Sequence, residues 1–100
     1  MTYDYHGQWD KKTGHLAPLY YYPGDDYDYF NANFSMRYWI EKGAPSRKLV
    51  MGIPMYGQAF TVAQISNNGL NAPAPGPGQA GEYTRAAGFL SFYEVRLFKN

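Results

Sequence analysis

Polar and apolar side chains alternate at the start of the chain. Apolar or aromatic residues at positions 1, 3 and 5 alternate with polar residues at positions 2, 4 and 6, and Gly7 follows. A repeat of two residues places successive side chains on opposite faces of an extended chain. The pattern therefore predicts a β-strand over residues 1–7.

The pattern changes to a helical period after residue 30. Apolar or small side chains at positions 32, 36, 39, 40 and 43 share one face, and charged side chains at positions 37, 41 and 42 lie elsewhere. Asn31 is a favourable N-cap, and Gly43 followed by Pro45 is typical of a helix end. We expect a helix over about residues 31–42, with Trp39 packed in a core.

A short apolar run follows this helix, over Lys48-Leu49-Val50-Met51-Gly52-Ile53-Pro54. A run of this kind is typical of a strand that is buried on both faces. Strand, helix and strand in this order form a βαβ unit, whose strands pair in parallel through a right-handed crossover. The predicted fold class is therefore α/β.

The remaining segments are richer in turn residues. Residues 10–30 are polar and contain Pro18, Pro23, Gly14 and Gly24, which predicts a long loop. Residues 67–81 hold four Gly and three Pro, which predicts irregular chain outside the βαβ core. Thr84 is a candidate cap for a second helix through about Val95, with residues 89, 90 and 93 toward a core.

Composition excludes several classes of protein. One hundred residues allow one small domain, and a net charge of +1 with no basic run longer than Lys11-Lys12 argues against a nucleic-acid partner. Cysteine is absent, and no apolar run reaches membrane-span length, so we expect no membrane partner. Aromatic residues make up 19% of the chain, with 11 Tyr, which suits either a Tyr-rich core or a binding surface.

Two motifs stand out in the chain. The first is Met1-Thr2-Tyr3-Asp4-Tyr5-His6-Gly7-Gln8-Trp9, and the second is residues 52–60, Gly-Ile-Pro-Met-Tyr-Gly-Gln-Ala-Phe. They resemble the patterns M-x-Y-D-x-x-G-x-W and G-x-P-x-Y-G-x-x-F of glycoside hydrolase family 18, the chitinases. Residues 68–71, 81–85 and 88–94 resemble a small α+β insertion of these enzymes. The sequences of these segments are similar to those of arthropod-type members. The resemblance implies that the chain is an internal fragment from the C-terminal half of such a protein.

The resemblance implies a fold as well. The family has a TIM (β/α)8 barrel, in which residues 1–7 match the sixth strand, residues 31–43 the following helix and residues 48–55 the seventh strand. Residues 1–60 would then be a partial barrel segment, and residues 61–100 the start of the insertion subdomain. Both motifs fall where strands run into βα loops, the face on which barrel enzymes build active sites.

The resemblance also assigns roles to residues. The family cleaves β-1,4-linked N-acetylglucosamine polymers by a retaining route in which the substrate's own acetamido oxygen attacks the anomeric carbon. Tyr3 matches the tyrosine that holds this oxygen, and Asp4 matches a neighbouring carboxylate that hydrogen-bonds the sugar. Further matches to sugar contacts are Met1, Trp9, Tyr56, Gln58 and Glu94. No cofactor is implied, the partners are chitin or chito-oligosaccharide and the rest of the barrel, and secretion is expected.

The sequence departs from the family pattern at three places. The fourth-strand motif D-x-x-D-x-D-x-E, which carries the catalytic acid, is absent; Asp26-Tyr27-Asp28-Tyr29-Phe30 gives D-x-D but has Phe30 where Glu is required. We therefore interpret Asp25, Asp26 and Asp28 as an ordinary solvated acidic loop. Gln58 stands where many members have Arg. Arg96 stands where Cys is usual, and residues 96–100 do not continue the pattern.

Alternatives to an enzyme remain open at this point. A chitinase-like lectin without the catalytic Glu would keep the same cleft residues, whereas a Tyr-rich matrix protein would need repeats, and none is found. His6, His15 and Asp10 fit no zinc spacing, so we expect no metal site. Asn33-Phe34-Ser35 is an N-glycosylation sequon. We expect the isolated chain to be unstable, because two barrel strands alone leave uncovered edges.

Overall fold

The computed structural model describes residues 1–97 and has an α/β architecture. A ten-residue helix, α1 (Ala32–Glu41), lies between two long irregular segments. It is followed by the strands β1 (Tyr56–Gln58), β2 (Phe60–Thr61), β3 (Gly76–Pro77) and β4 (Phe89–Ser91), and by a second helix, α2 (Phe92–Leu97). Short 3-10 turns span Gln8–Asp10 and Ser46–Lys48.

Helix α1 confirms the prediction from the helical period. Asn31 is its N-cap, and the Asn31 side chain accepts a hydrogen bond from the Phe34 N–H at 2.9 Å. The same side chain donates to the Asp28 carbonyl at 2.8 Å, and Asn31 is only 2% exposed. Gly43, with φ of 101°, follows the helix in the left-handed conformation that glycine adopts without strain.

The predicted core face of α1 is largely uncovered. Ala32 is buried, but Trp39 is 57% exposed and Ile40 is 48% exposed. The expectation that Trp39 packs against the rest of a barrel stays a prediction, because residues 1–97 supply no layer opposite that face. Apolar periodicity marks the face that seeks burial, and it does not provide the partner that buries it.

The two predicted parallel strands are not formed. Residues 1–7 and 48–54 lie side by side, with the Thr2 hydroxyl donating to the Gly52 carbonyl at 2.5 Å, but neither segment is a strand in the described structure. Asp4 interrupts the first segment with a φ of 59°. In the second, Val50 is 89% exposed and Ile53 is 71% exposed, so residues 1–97 do not themselves supply the expected burial on both faces.

The observed strands lie in the C-terminal half. β1 pairs antiparallel with β4 in the register Tyr56↔Ser91, Gly57↔Leu90 and Gln58↔Phe89, and β2 pairs antiparallel with β3. The predicted helix from Thr84 is wrong in its start: it begins at Phe92, because β4 occupies residues 89–91 and Gly88 turns the chain with a φ of 80°. The expected irregular chain over residues 67–81 is confirmed except at β3.

Little apolar surface is fully buried in residues 1–97. The buried apolar residues are Ala32, Ala72, Ala74 and Leu90. Of the residues predicted to face a core after Thr84, Leu90 is buried, Phe89 is half-buried and Tyr93 is 53% exposed. Neither helix of the described chain has the length and apolarity needed to cross a bilayer.

Candidate active site

Tyr3 and Asp4 lie next to the second motif, although they are about fifty residues apart in sequence. The Tyr3 ring lies against Gly52, where a Cβ atom would be 2.9 Å from Tyr3 Cε1. Gly52 therefore leaves the space that this phenol occupies. The Tyr3 hydroxyl takes part in none of the side-chain hydrogen bonds within residues 1–97, and its ring is only half-buried, so this donor is available to a ligand.

Asp4 has a backbone conformation that is uncommon for a residue with a side chain. Its φ of 59° lies in the left-handed region, which costs on the order of 1–3 kcal/mol for residues other than glycine. Its carboxylate is exposed and accepts a hydrogen bond from Gln58 Nε2 at 3.2 Å. Such strained positions concentrate at functional sites, and this one aims a carboxylate at the residues of the second motif.

Tyr56 completes this group of side chains. Its ring packs edge-on against Tyr3, with centroids 6.2 Å apart, and stacks on Phe89 of β4 at 4.9 Å. Burial, followed by the hydrogen bond with Asp4, raises the pKa of Tyr56 to about 12. The phenol therefore remains protonated at neutral pH, with the Asp4 carboxylate as its neighbour. Tyr3, Asp4, Tyr56 and Gln58 thus meet in one place, as the two motifs predicted.

Contacts within residues 1–97 hold the Trp9 side chain in place but leave the Met1 side chain exposed. The Trp9 indole lies across Gly7, where a Cβ atom would come within 2.3 Å of the ring, and it remains 49% exposed. This fixed aromatic face suits the C–H-rich face of a sugar ring. Met1 is 95% exposed, so no part of the described chain fixes its side chain.

A groove of about 690 Å³ adjoins this group, and sequence reasoning missed one of its walls. It lies between β1 and the loop residues 14–22. Tyr20, Tyr21 and Tyr22 are 70%, 49% and 43% exposed. The signal for this wall was present in the run of three tyrosines, but a loop without periodicity gives no indication of which surface it covers.

Glu94 is buried within the chain. It is 3% exposed, and its Oε1 accepts hydrogen bonds from the Ser91 N–H and hydroxyl at 3.0 and 2.8 Å, while Oε2 accepts from the N–H groups of Tyr83 and Thr84 at 3.0 and 3.3 Å. Burial alone would raise the Glu94 pKa, but these hydrogen bonds lower it to about 2. The bond from the Ser91 N–H to the Glu94 side chain is the half of a capping box that the first turn of α2 contains. None of these bonds involves Tyr3, Asp4, Tyr56 or Gln58, so the sugar contact of Glu94 stays a prediction.

His6 contacts the acidic loop through Asp25. Its two ring nitrogens lie 2.9 Å from the carboxylates of Asp10 and Asp25. The interpretation of Asp25 as an ordinary solvated residue is therefore wrong, since its side chain is only 9% exposed. No group of three His, Cys, Asp or Glu side chains within residues 1–97 is arranged to hold a metal ion. Asn33 of the sequon is exposed on the first turn of α1.

The side chains of this site offer both aromatic surface and hydrogen-bonding groups. It combines two phenols, a carboxylate, a primary amide and an exposed indole face. Aromatic surface with a few convergent polar groups is the usual composition of a small-molecule site. The residues that line the groove, within 14–22 and 56–58, include no carboxylate.

The comparisons with known proteins agree with this chemistry. Residues 1–99 match Glycosyl hydrolases family 18. The chain is 68% identical over 95 residues to probable chitinase 10 of Drosophila melanogaster, covering 95% of this chain and 4% of that protein.

Two solved structures show the same backbone arrangement. Catalytic domain 2 of the Ostrinia furnacalis Group II chitinase superposes with a TM-score of 0.92 at 59% identity, over 95% of this chain and 25% of that chain. Human YKL-39, described as a pseudo-chitinase with retained chitooligosaccharide binding, superposes with a TM-score of 0.91 at 45% identity, over 98% of this chain and 28% of that chain. The chain therefore spans about a quarter of the domains it resembles. From its match over nearly every residue and these likenesses, we conclude that the chain belongs to glycosyl hydrolase family 18.

Proposed function

We propose that this chain forms part of the substrate cleft of a secreted chitinase that hydrolyses β-1,4-N-acetylglucosamine polymers. The observation that carries the proposal is the meeting of Tyr3, Asp4, Tyr56 and Gln58 beside an open groove. The relatives whose names state chitinase activity support the substrate class.

In the proposed mechanism, the residues of this chain orient the substrate. The Tyr3 hydroxyl donates to the acetamido oxygen, which attacks the anomeric carbon as the glycosidic C–O bond breaks and the leaving oxygen takes a proton from an acid outside these 100 residues. Water then opens the cyclic intermediate from the opposite face, so that the configuration is retained overall. Asp4, whose other contacts are the Tyr56 phenol and the Gln58 amide, accepts a hydrogen bond from the same sugar. Holding the acetamide close to the reacting carbon lowers the entropic part of the barrel enzyme's activation barrier. Trp9, Met1 and Glu94 are the further proposed sugar contacts.

The proposal includes the rest of a TIM barrel. Residues 1–7, 31–43 and 48–55 would be its sixth strand, the helix after it and its seventh strand, and residues 61–100 the start of an α+β insertion. The exposure of Val50, Ile53 and Trp39 supports this, because these apolar side chains have no covering layer within residues 1–97. Residues 98–100, which end the proposed insertion segment, lie outside the described residues.

The catalytic acid must come from outside these 100 residues, since the motif that carries it is absent. A chitin-binding lectin is therefore the second candidate, and the likeness to a pseudo-chitinase that retains chitooligosaccharide binding favours keeping it. The residue at the acid position of the full-length protein separates the two: Glu indicates an enzyme, and another residue indicates a binding protein.

The test is the substitution Tyr3→Phe in the full-length protein. Loss of one donor that stabilises developing charge should lower kcat for chito-oligosaccharide hydrolysis on the order of 10²-fold, because such donors act mainly in the transition state. Tyr38→Phe, on the exposed face of α1, is the matched control and should leave turnover unchanged. Unchanged turnover in Tyr3→Phe would exclude the proposed role. A wild-type protein that binds chito-oligosaccharides without cleaving them would favour the lectin.

A further inference from the structure

His6 is a buried histidine with a carboxylate at each ring nitrogen. Nδ1 lies 2.9 Å from Asp10 Oδ2, and Nε2 lies 2.9 Å from the Asp25 carboxylate, while the His6 side chain is 7% exposed. A neutral imidazole carries one N–H and can donate only once, whereas an imidazolium donates from both nitrogens. Two ionised acceptors therefore select the charged form of this ring.

The surroundings of His6 support the same conclusion. Burial lowers its pKa, but hydrogen bonds and charges of Asp25 and Asp10 outweigh burial and raise the pKa above 6.5. Phe30 packs on the ring at 5.5 Å, and His15 and Tyr22 line the small cavity beside it. Two further charged side chains lie close in sequence, Lys12 and Asp26, and they pair with each other at 2.6 Å.

Three parts of the candidate active site meet at this ring. His6 itself follows Asp4 by two residues, Asp10 lies in the 3-10 turn that contains Trp9, and Asp25 lies in the loop that contains Tyr20–Tyr22. Within residues 1–97, the backbone adds one hydrogen bond between the Asp4 segment and the loop of residues 14–22, from the Tyr5 N–H to the Leu16 carbonyl at 3.0 Å. The ion-paired ring is therefore a main connection between these parts.

We propose that His6 is a positioning residue: as an imidazolium bridging Asp10 and Asp25, it fixes the Trp9 turn and the tyrosine loop against the Tyr3–Asp4 segment, and loss of its proton releases them. The raised pKa of His6 decides in which direction the bridge depends on pH. The bridge is fully present below pH 6.5 and is lost as the pH rises through the raised pKa. The sugar-binding part of this inference rests on the proposed function; the loop-opening part does not.

Loop opening is measured first, by chymotryptic cleavage after Tyr20–Tyr29 in the full-length protein, mapped by mass spectrometry between pH 6 and pH 9 and normalised to a reference peptide. Wild-type cleavage should rise with pH, and His6→Gln should be cleaved rapidly at every pH. Asp25→Asn keeps the side-chain shape and should move the wild-type midpoint down by about one pH unit. Glu82→Gln, an exposed residue outside this loop and outside the groove, should behave as wild type.

Sugar binding is measured second, as the Kd for a chito-oligosaccharide in the same proteins. It should weaken about fivefold or more between pH 6 and pH 9 in wild type, and should lose this pH dependence in His6→Gln. Cleavage that is independent of pH in wild type, or a midpoint unmoved in Asp25→Asn, would overturn the bridge. A loop that opens while Kd stays constant would overturn its positioning role. Failure of wild type to bind at any pH would instead refute the proposed function, and the cleavage result would still decide the bridge.

Discussion

The contact between Gly7 and Trp9 gives a prediction in which one added methyl group tests whether the Trp9 ring binds sugar. Gly7 has φ of −167° and ψ of −174°, an extended conformation that alanine adopts without strain. The substitution Gly7→Ala therefore acts through the space that the new Cβ requires. That atom would lie 2.3 Å from two carbon atoms of the Trp9 ring and 2.7 Å from a third.

The size of the displacement follows from these distances. Ordinary van der Waals contact begins at 3.4 Å, so the indole must move by about 1.1 Å. The backbone of Gly7 cannot easily move instead, because its carbonyl accepts from the Asp10 N–H at 3.0 Å and its N–H donates to Asp10 Oδ2 at 3.3 Å. Aromatic packing of this kind is worth about 0.5–1.5 kcal/mol. Losing it should weaken sugar binding about 2- to 12-fold.

Isothermal titration of the full-length protein with a chito-oligosaccharide measures this change. Gly69→Ala is the matched control, because a Cβ atom at Gly69 meets nothing within 4 Å, and it should bind as wild type. Trp9→Ala should weaken binding at least as much as Gly7→Ala, and the double variant should be no worse than Trp9→Ala alone. Wild-type affinity in Gly7→Ala, or an equal loss in Gly69→Ala, would refute the reasoning.

Two further predictions concern stability. Glu94 has a pKa of about 2 in place of 4.5, so the stability it contributes is present above pH 4.5 and is lost as the pH falls toward 2. Calorimetric melts of the full-length protein should show this loss in acid. Glu94→Gln should melt lower than wild type at pH 6 and depend less on acid, whereas Glu82→Gln, at an exposed neighbouring position, should match wild type. Equal acid dependence in Glu94→Gln and wild type would contradict the assigned hydrogen bonds. The isolated 100-residue chain should show no cooperative melt and no chitinase activity, because its apolar faces at Val50, Ile53 and Trp39 are uncovered; a sharp calorimetric transition would contradict this.

Local signals in the sequence predicted local structure well. Asn31 as an N-cap and Gly43 after the helix end both concern interactions within a few residues, and α1 confirmed them. The strands over residues 1–7 and 48–54 depended on hydrogen-bonded neighbours, which no local pattern supplies. The predicted second helix begins too early, because Thr84 is a good cap in isolation, whereas the register of β4 against β1 decides where α2 begins.

The candidate site shows the same division. Tyr3, Asp4, Tyr56 and Gln58 were predicted through motif resemblance, and their hydrogen bonds and ring contacts bring them together. The pairing of Asp25 with His6 was missed, since the two lie 19 positions apart in largely irregular chain and no periodicity relates them. Glu94 was recognised by its motif, but its four internal hydrogen bonds depend on a turn at residues 83–84 that the sequence does not indicate.

The stacking of Phe89 on Tyr56 has an evolutionary consequence. Phe89 belongs to β4, which pairs antiparallel with β1, and it lies 33 positions after Tyr56 along the chain. Mutations in this remote strand therefore alter the setting of a phenol whose own position has not mutated. Divergence among related proteins in the segment after Phe60 is thus a route to altered ligand preference that leaves the signature motifs intact.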